Sequence, residues 1–238
     1  MMKSSAVVLG VAGLVSFGAA GDVRIVHASP DAPAVDIYVN EVPGVGAPAV
    51  TGLAFTQGTG YIGLPTGSYD LAVTATGAFS PVISAPGLAI DETQDITIVA
   101  VNFLSSIQPL VLNDDRTSDP FAARVRFVHA APDVPTVDIG LAGGGPLLFD
   151  GVSFGESGGY ITVGAGSYDL DVLLGGTGTV ALSVPGVELQ NGFVYTIFAM
   201  GSLATNDVQA VVFVDAIPTP GTLGVLAMAG LAMSRRRR

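Results

Sequence analysis

The sequence predicts an all-β protein made of two tandem immunoglobulin-like β-sandwiches, and three observations carry that prediction. The stretch Val23-Arg-Ile-Val-His-Ala-Ser-Pro-Asp-Ala-Pro-Ala-Val-Asp-Ile-Tyr-Val-Asn40 returns as Val125-Arg-Phe-Val-His-Ala-Ala-Pro-Asp-Val-Pro-Thr-Val-Asp-Ile-Gly-Leu-Ala142, identical at eleven of eighteen positions. A repeat of that kind marks one structural unit used twice. The composition favours Val, Ile, Thr, Gly, Ala and Pro, with only 12% charged residues, which suits strands and tight turns better than helices. Each unit also reads as about seven short strands separated by Gly, Pro and Asn/Asp turns, over the roughly 95 residues usual for a small sandwich.

Residues 1–20 form the signal peptide: Lys3 supplies the basic start, Ala6 to Val15 the apolar run, and Phe17-Gly-Ala-Ala20 the small residues before a cut after Ala20. The apolar run is well short of the roughly 20 residues a spanning helix needs. The first sandwich occupies 21–116, a linker 117–121, the second sandwich 122–216 and a C-terminal tail 217–238.

Within the first unit, Asp22 to Ala28 is a strand with Val23, Ile25 and His27 on one face and Arg24 on the other, and Val35 to Asn40 is the second strand. Ser29-Pro-Asp-Ala-Pro33 between them is a corner carrying the chain between sheets, because proline lacks an N–H and restricts the residue before it. After the Gly- and Pro-rich loop 41–49, strands are expected at Leu53 to Thr56, Gly60 to Leu64, Tyr69 to Thr76, Pro81 to Ala85, Ile96 to Phe103 and Pro109 to Asn113. The second unit repeats the later landmarks. Gly-Ser-Tyr-Asp ends at Asp70 and Asp169, Ser84-Ala-Pro-Gly87 returns as Ser183-Val-Pro-Gly186, and Thr97 answers to Thr196. Offsets of 102 at Val23/Val125 and 99 at Thr97/Thr196 place a net loss of three residues in the loop after the second strand.

Cysteine is absent, which removes thiolate chemistry and leaves an exported chain to rely on its cores rather than on disulfides. Without Lys3 and Arg235 to Arg238, four arginines (Arg24, Arg116, Arg124, Arg126) face all 20 acidic residues, a net charge of −16. Such a body is unsuited to tracking nucleic-acid phosphates. The only lysine is Lys3, so no phosphate-binding loop is available.

His27 and His129 are the only histidines, each followed by carboxylates at Asp31 and Asp36 or Asp133 and Asp138. A metal site or acid/base pair is one reading; a structural set holding the corner is the favoured one, because one histidine per unit is too few for a zinc site of the usual kind. Tyr69 and Tyr168, in the repeated Gly-Ser-Tyr-Asp turn, belong to the same structural motif. Gly155-Glu-Ser-Gly-Gly159 has the outline of a hydrolase nucleophile elbow at Ser157, yet no helix is predicted after it, both histidines precede it, and Gly58 stands at the matching place in the first unit. The acidic runs Asp91, Glu92, Asp95 and Asp114, Asp115, Asp119 lack calcium-loop spacing and read as solvated loop tips. No catalytic, metal or cofactor residue is assigned, and no enzymatic activity is expected.

The doubled pattern Val-Arg-x-Val-His-Ala-x-Pro-Asp-x-Pro-x-Val-Asp, with Gly-Ser-Tyr-Asp downstream, resembles the domain of unknown function 4397 family of exported bacterial proteins, in two tandem copies spanning Asp22 to Asp215. The tail, with Pro218-Thr-Pro220, a short apolar segment and Arg235, Arg236, Arg237 and Arg238, resembles the PEP-CTERM sorting signal. That resemblance implies a short transmembrane helix, transient membrane contact and an exosortase-like processing enzyme. The reading is an exported, structural or adhesive protein of the cell envelope, cell surface or extracellular matrix, with extracellular polysaccharide as the expected partner. A carbohydrate- or peptide-binding module is the alternative and a hydrolase the third.

Overall fold

The computed structural model describes residues 20–217. The signal-peptide reading of residues 1–20 lies outside the described residues except for Ala20, which opens the first strand, and the tail residues Pro218, Pro220, Arg235, Arg236, Arg237 and Arg238 lie outside them entirely. The first unit contains β1 (Ala20–His27), β2 (Val35–Val39), β3 (Val50–Leu53), β4 (Ile62–Pro65), β5 (Gly67–Ala75), β6 (Pro81–Ile90), β7 (Asp95–Val101) and β8 (Gln108–Asp114). The second repeats them as β9 (Ala123–His129), β10 (Val137–Leu141), β11 (Leu147–Val152), β12 (Ile161–Val163), β13 (Gly166–Leu174), β14 (Thr179–Leu189), β15 (Val194–Met200) and β16 (Gln209–Ala216). Among the described residues the one helical element is a single 3-10 turn at Leu104–Ser106, and no helix is long and apolar enough to cross a membrane.

Each unit is a sandwich of two four-stranded sheets, ordered β4-β1-β7-β8 over β3-β2-β5-β6 and β12-β9-β15-β16 over β11-β10-β13-β14. The all-β expectation holds and each unit has the eight strands that the segment-by-segment reading placed, but their order departs from the immunoglobulin arrangement. There the first two strands share a sheet. Here the Pro-Asp-x-Pro corner moves the chain across, so β1 and β2 lie in opposite sheets, and β1 runs parallel to β7.

Alternation along the central strands explains the core. Val23 and Ile25 of β1 meet Ile96 and Ile98 of β7 inside the first sandwich, and Val125 and Phe127 of β9 meet Tyr195 and Ile197 of β15 inside the second. Ile25 and Phe127 thus occupy equivalent core positions. The other faces of the same strands, bearing Val26, Ala28, Val99 and Val101 in one unit and Val128, Ala130, Phe198 and Met200 in the other, pack together as one apolar cluster joining the units. Strands buried on both faces carry near-continuous apolar runs rather than a clean alternation.

Two strand limits differ from expectation for local reasons. Thr56 has φ +69°, a left-handed conformation unsuited to a strand, so the third strand is Val50–Leu53. Pro86 does not end β6, because β6 is the outer strand of its sheet and Pro86-Gly87 falls where the β5/β6 register shifts; edge positions and bulges tolerate a missing N–H.

Candidate functional site: the paired corners and the buried arginine junction

The repeated histidines sit at the ends of β1 and β9 with no exposed surface. His27 Nδ1 accepts the Ser29 N–H, which leaves Nε2 to donate to the Pro33 carbonyl at 3.0 Å. His129 repeats this with the Ala131 N–H and the Pro135 carbonyl. Each ring thereby closes its own corner and meets Phe55 or Phe154 edge-on. Burial lowers both imidazole pKa values, so the rings stay neutral.

The aspartates of the motif bind amides from other loops. Asp31 accepts the Leu104 N–H, and Asp133 accepts the Ser202 hydroxyl and the Leu203 and Ala204 N–H groups, so each corner grips the loop between the last two strands of its unit. Asp36 accepts the N–H groups of Gly77 and Gly52 and the Thr76 hydroxyl; Asp138 accepts those of Gly151 and Gly176. The four glycines all have φ between +66° and +78°, which presents their amides to one carboxylate at little steric cost. The Gly77 amide is the main cause of the lowered Asp36 pKa, and the Gly151 amide of the lowered Asp138 pKa. Tyr69 and Tyr168 curl back to the carbonyls of Pro65 and Gly164. The motif residues are not brought into one cleft; they lie at separate turns.

The largest concentration of polar chemistry is between the units, where sequence reasoning placed none. Arg24 from β1 reaches Asp215 of β16, and Arg126 from β9 reaches Asp114 of β8, in a reciprocal pair with a pseudo-two-fold relation. These four side chains are at most 3% exposed. Thr97 links Arg24 Nε to Asp114, and Thr196 links Arg126 Nε to Asp215. Tyr61 donates to Asp114 and Tyr160 to Asp215, while each phenol ring lies under an arginine at 4.7 Å. Burial, then the Asp215 charge, raises both phenol pKa values. Arg116 and Arg124 cover the outer side of Tyr61 and Tyr160 and pair with Asp22 and Asp115. Every basic residue of the described body is therefore at this junction.

The pair is not symmetric in quality. Arg126 donates to Asp114, Thr196 and the Asn113 carbonyl. Arg24 Nη1 lies 2.8 Å from Asp215 Oδ1 but is not aligned with it, so these atoms and Nη2 make no directed hydrogen bond. Phe213 covers the Arg24 guanidinium at 5.4 Å, resting where a Cβ on Gly58 would crowd it. The equivalent strand position in the first unit is Leu112, since Leu112 pairs with Thr97 as Phe213 pairs with Thr196.

The family described as Domain of unknown function (DUF4397) matches residues 21–140 and 123–225. The chain belongs to the DUF4397 family. The two matches overlap over 123–140, the strand-corner-strand opening of the second repeat. No curated protein matches the chain.

In the second DUF4397 repeat Ser157 lies in the turn before β12, bridged to Val128. Both nitrogens of His129 already face backbone partners, so the imidazole offers Ser157 no base. The acidic run at the end of β8 divides: the Asp114 side chain is buried in the junction, which corrects the reading of it as a solvated loop tip, whereas Asp115 is exposed and pairs with Arg124. Among the described residues, no group of three or more His, Cys, Asp or Glu is placed to hold a metal ion.

Proposed function

We propose that this chain is an exported, non-enzymatic structural or adhesive protein of the cell envelope or extracellular matrix, its two DUF4397 units joined into one rigid spacer. The observation supporting this is the fate of the polar side chains: the repeated His and Asp residues bind the fold's own turns, and the arginines bind the opposite unit. A strongly acidic outer surface follows, because all four arginines of the exported part are held at the junction, and it favours solubility outside the cell. The signal peptide of residues 1–20 directs export. The PEP-CTERM-like tail of residues 217–238, through an exosortase-like enzyme, hands the protein to the surface or to matrix polysaccharide.

Fractionation of host cells with peptide mapping tests the proposal. A chain beginning near Gly21 in the surface or matrix fraction is expected, whereas a cytoplasmic chain retaining Met1 contradicts it. The carbohydrate- or peptide-binding alternative rests on a groove of about 230 Å³ beside Glu41, Pro43, Asp70 and Ser84. Retention on a glycan or peptide array, abolished by filling that groove with Ser84→Trp, favours the alternative.

A further inference from the structure

We propose that the first sandwich holds a binding cavity for a small monocyclic aromatic molecule, at the place where the second sandwich inserts its own phenyl ring. Ile25 and Phe127 occupy the same place opposite Ile98 and Ile197, and Val50 and Phe149 the same place opposite Ile37 and Ile139. The Phe127 and Phe149 rings meet at 6.1 Å and fill the second core, leaving a residual space of about 20 Å³. With Ile and Val instead, the first core keeps a cavity of about 120 Å³, lined among others by Ile25, Ile37, Val50, Leu64, Leu71 and Leu88.

A third position shows that the difference is built into the local sequence. Gly158 donates its N–H to Phe127 as Thr59 donates to Ile25. A Cβ on Gly158 would collide with Phe149 Cδ1, so glycine there makes room for the ring. In the first unit Thr59 carries that Cβ, and its hydroxyl accepts the Ile25 N–H at 3.0 Å. The combination Val50 with Thr59 excludes a protein ring from one side and leaves the volume open from the other.

The lining determines the ligand. Its side chains are apolar except for Tyr69, whose hydroxyl is taken by the Pro65 carbonyl. A buried polar group would find no partner and be disfavoured, whereas apolar cavities near 150 Å³ stay dry and take benzene or xenon. The lining reaches the open edge of the sandwich at Val50 on β3 and at Ile62 on β4, the latter 45% exposed. β6 and β8 share the opposite edge, so the two edge strands β3 and β4 form the entrance.

The test uses the purified protein with toluene as probe and phenol as the polar counterpart, read by thermal unfolding and by isoleucine methyl NMR. Toluene is expected to raise the melting temperature saturably and to move the methyl signals of Ile25, Ile37 and Ile62 but not that of Ile139, with phenol at least tenfold weaker. Ile25→Phe, and separately Val50→Phe with Thr59→Gly, should weaken toluene binding at least tenfold while leaving the other methyl signals in place. The proposal is overturned by an absence of toluene shifts in the wild type, by unchanged binding in whichever filled variant folds, or by shifts centred on the second unit.

Discussion

Replacing Asp114 by Ala tests whether the junction depends on its buried charges. The carboxylate has no exposed surface and accepts from Arg126 Nη2 at 2.5 Å, Thr97 Oγ1 at 2.6 Å and Tyr61 OH at 2.8 Å. Without it, Arg126 keeps the Asn113 carbonyl and Thr196, and its nearest carboxylate is Asp215 at 4.0 Å. Removing one member of a buried pair costs about 3–5 kcal/mol, because the remaining charge stays desolvated. The two freed hydroxyls would each add about 1–3 kcal/mol if nothing adjusted. Thr97 still receives Arg24 Nε and the effects share partners, so they do not sum. Urea denaturation followed by circular dichroism should therefore show a loss of about 3–5 kcal/mol at unchanged m-value. Arg126→Met with Asp114→Leu should lie nearer the wild type than either single change, since no lone charge is left. A loss below about 1 kcal/mol, the usual worth of an exposed pair, would refute this account of the junction.

Acid stability follows from the same structure. An unfolded histidine takes up a proton near pH 6.5, whereas folded His27 and His129, with lowered pKa values, do so only at lower pH. Stability should thus be complete above about pH 6.5 and fall as pH drops below it, by at most about 1.4 kcal/mol per pH unit for each ring. Asp36 and Asp138, also lowered, add their own loss below about pH 4; the raised phenols of Tyr61 and Tyr160 place the alkaline loss above about pH 10. A flat urea midpoint between pH 7 and pH 5 would contradict the buried neutral rings. His27→Ala, measured by thermal denaturation, should cost about 1–3 kcal/mol through the lost corner bonds, and an unchanged melting temperature would remove the ring from that role. Asp36→Ala should cost at least as much, since it frees the amides of Gly52 and Gly77, and faster hydrogen exchange at those two amides is the specific readout. For the tail, the thirteen residues Thr222 to Ser234 would span only about 20 Å as a helix against a hydrocarbon core of about 30 Å, so processing near Pro218-Thr-Pro220 is expected. Mass spectrometry that recovers an intact Arg238 end from the membrane fraction would argue for permanent anchoring.

The repeat, the corners and the strand-rich class are legible in the sequence because local chemistry sets them: proline restricts the corner, and glycines at positive φ mark the bulges. The junction is not legible, for two reasons. Arg24 and Arg126 look like solvent-facing residues on alternating strands, and only the packing of one unit on the other buries them. Their partners Asp114 and Asp215 correspond in space, but the loop before the last strand runs 102–107 in one unit and 201–208 in the other. That difference breaks the repeat offset just ahead of both aspartates. The continuous apolar runs in β7 and β15 were the available signal, since a strand exposed on one face does not require them. Strand order is hidden for a related reason: the corner shows that the chain changes sheets but not which neighbours each strand takes, such as the parallel pairing of β1 with β7.

Locking by the buried arginines would make the two sandwiches one body. The absence of cysteine allows a direct measurement, with spin labels at Ser84→Cys on β6 and Ala181→Cys on β14, both exposed and on the outer sheet of their units. Double electron–electron resonance should give a single narrow distance distribution that is unchanged at 1 M salt, where exposed pairs are screened but buried ones are not. A broad or two-peaked distribution, or one that widens with salt, would contradict the claim.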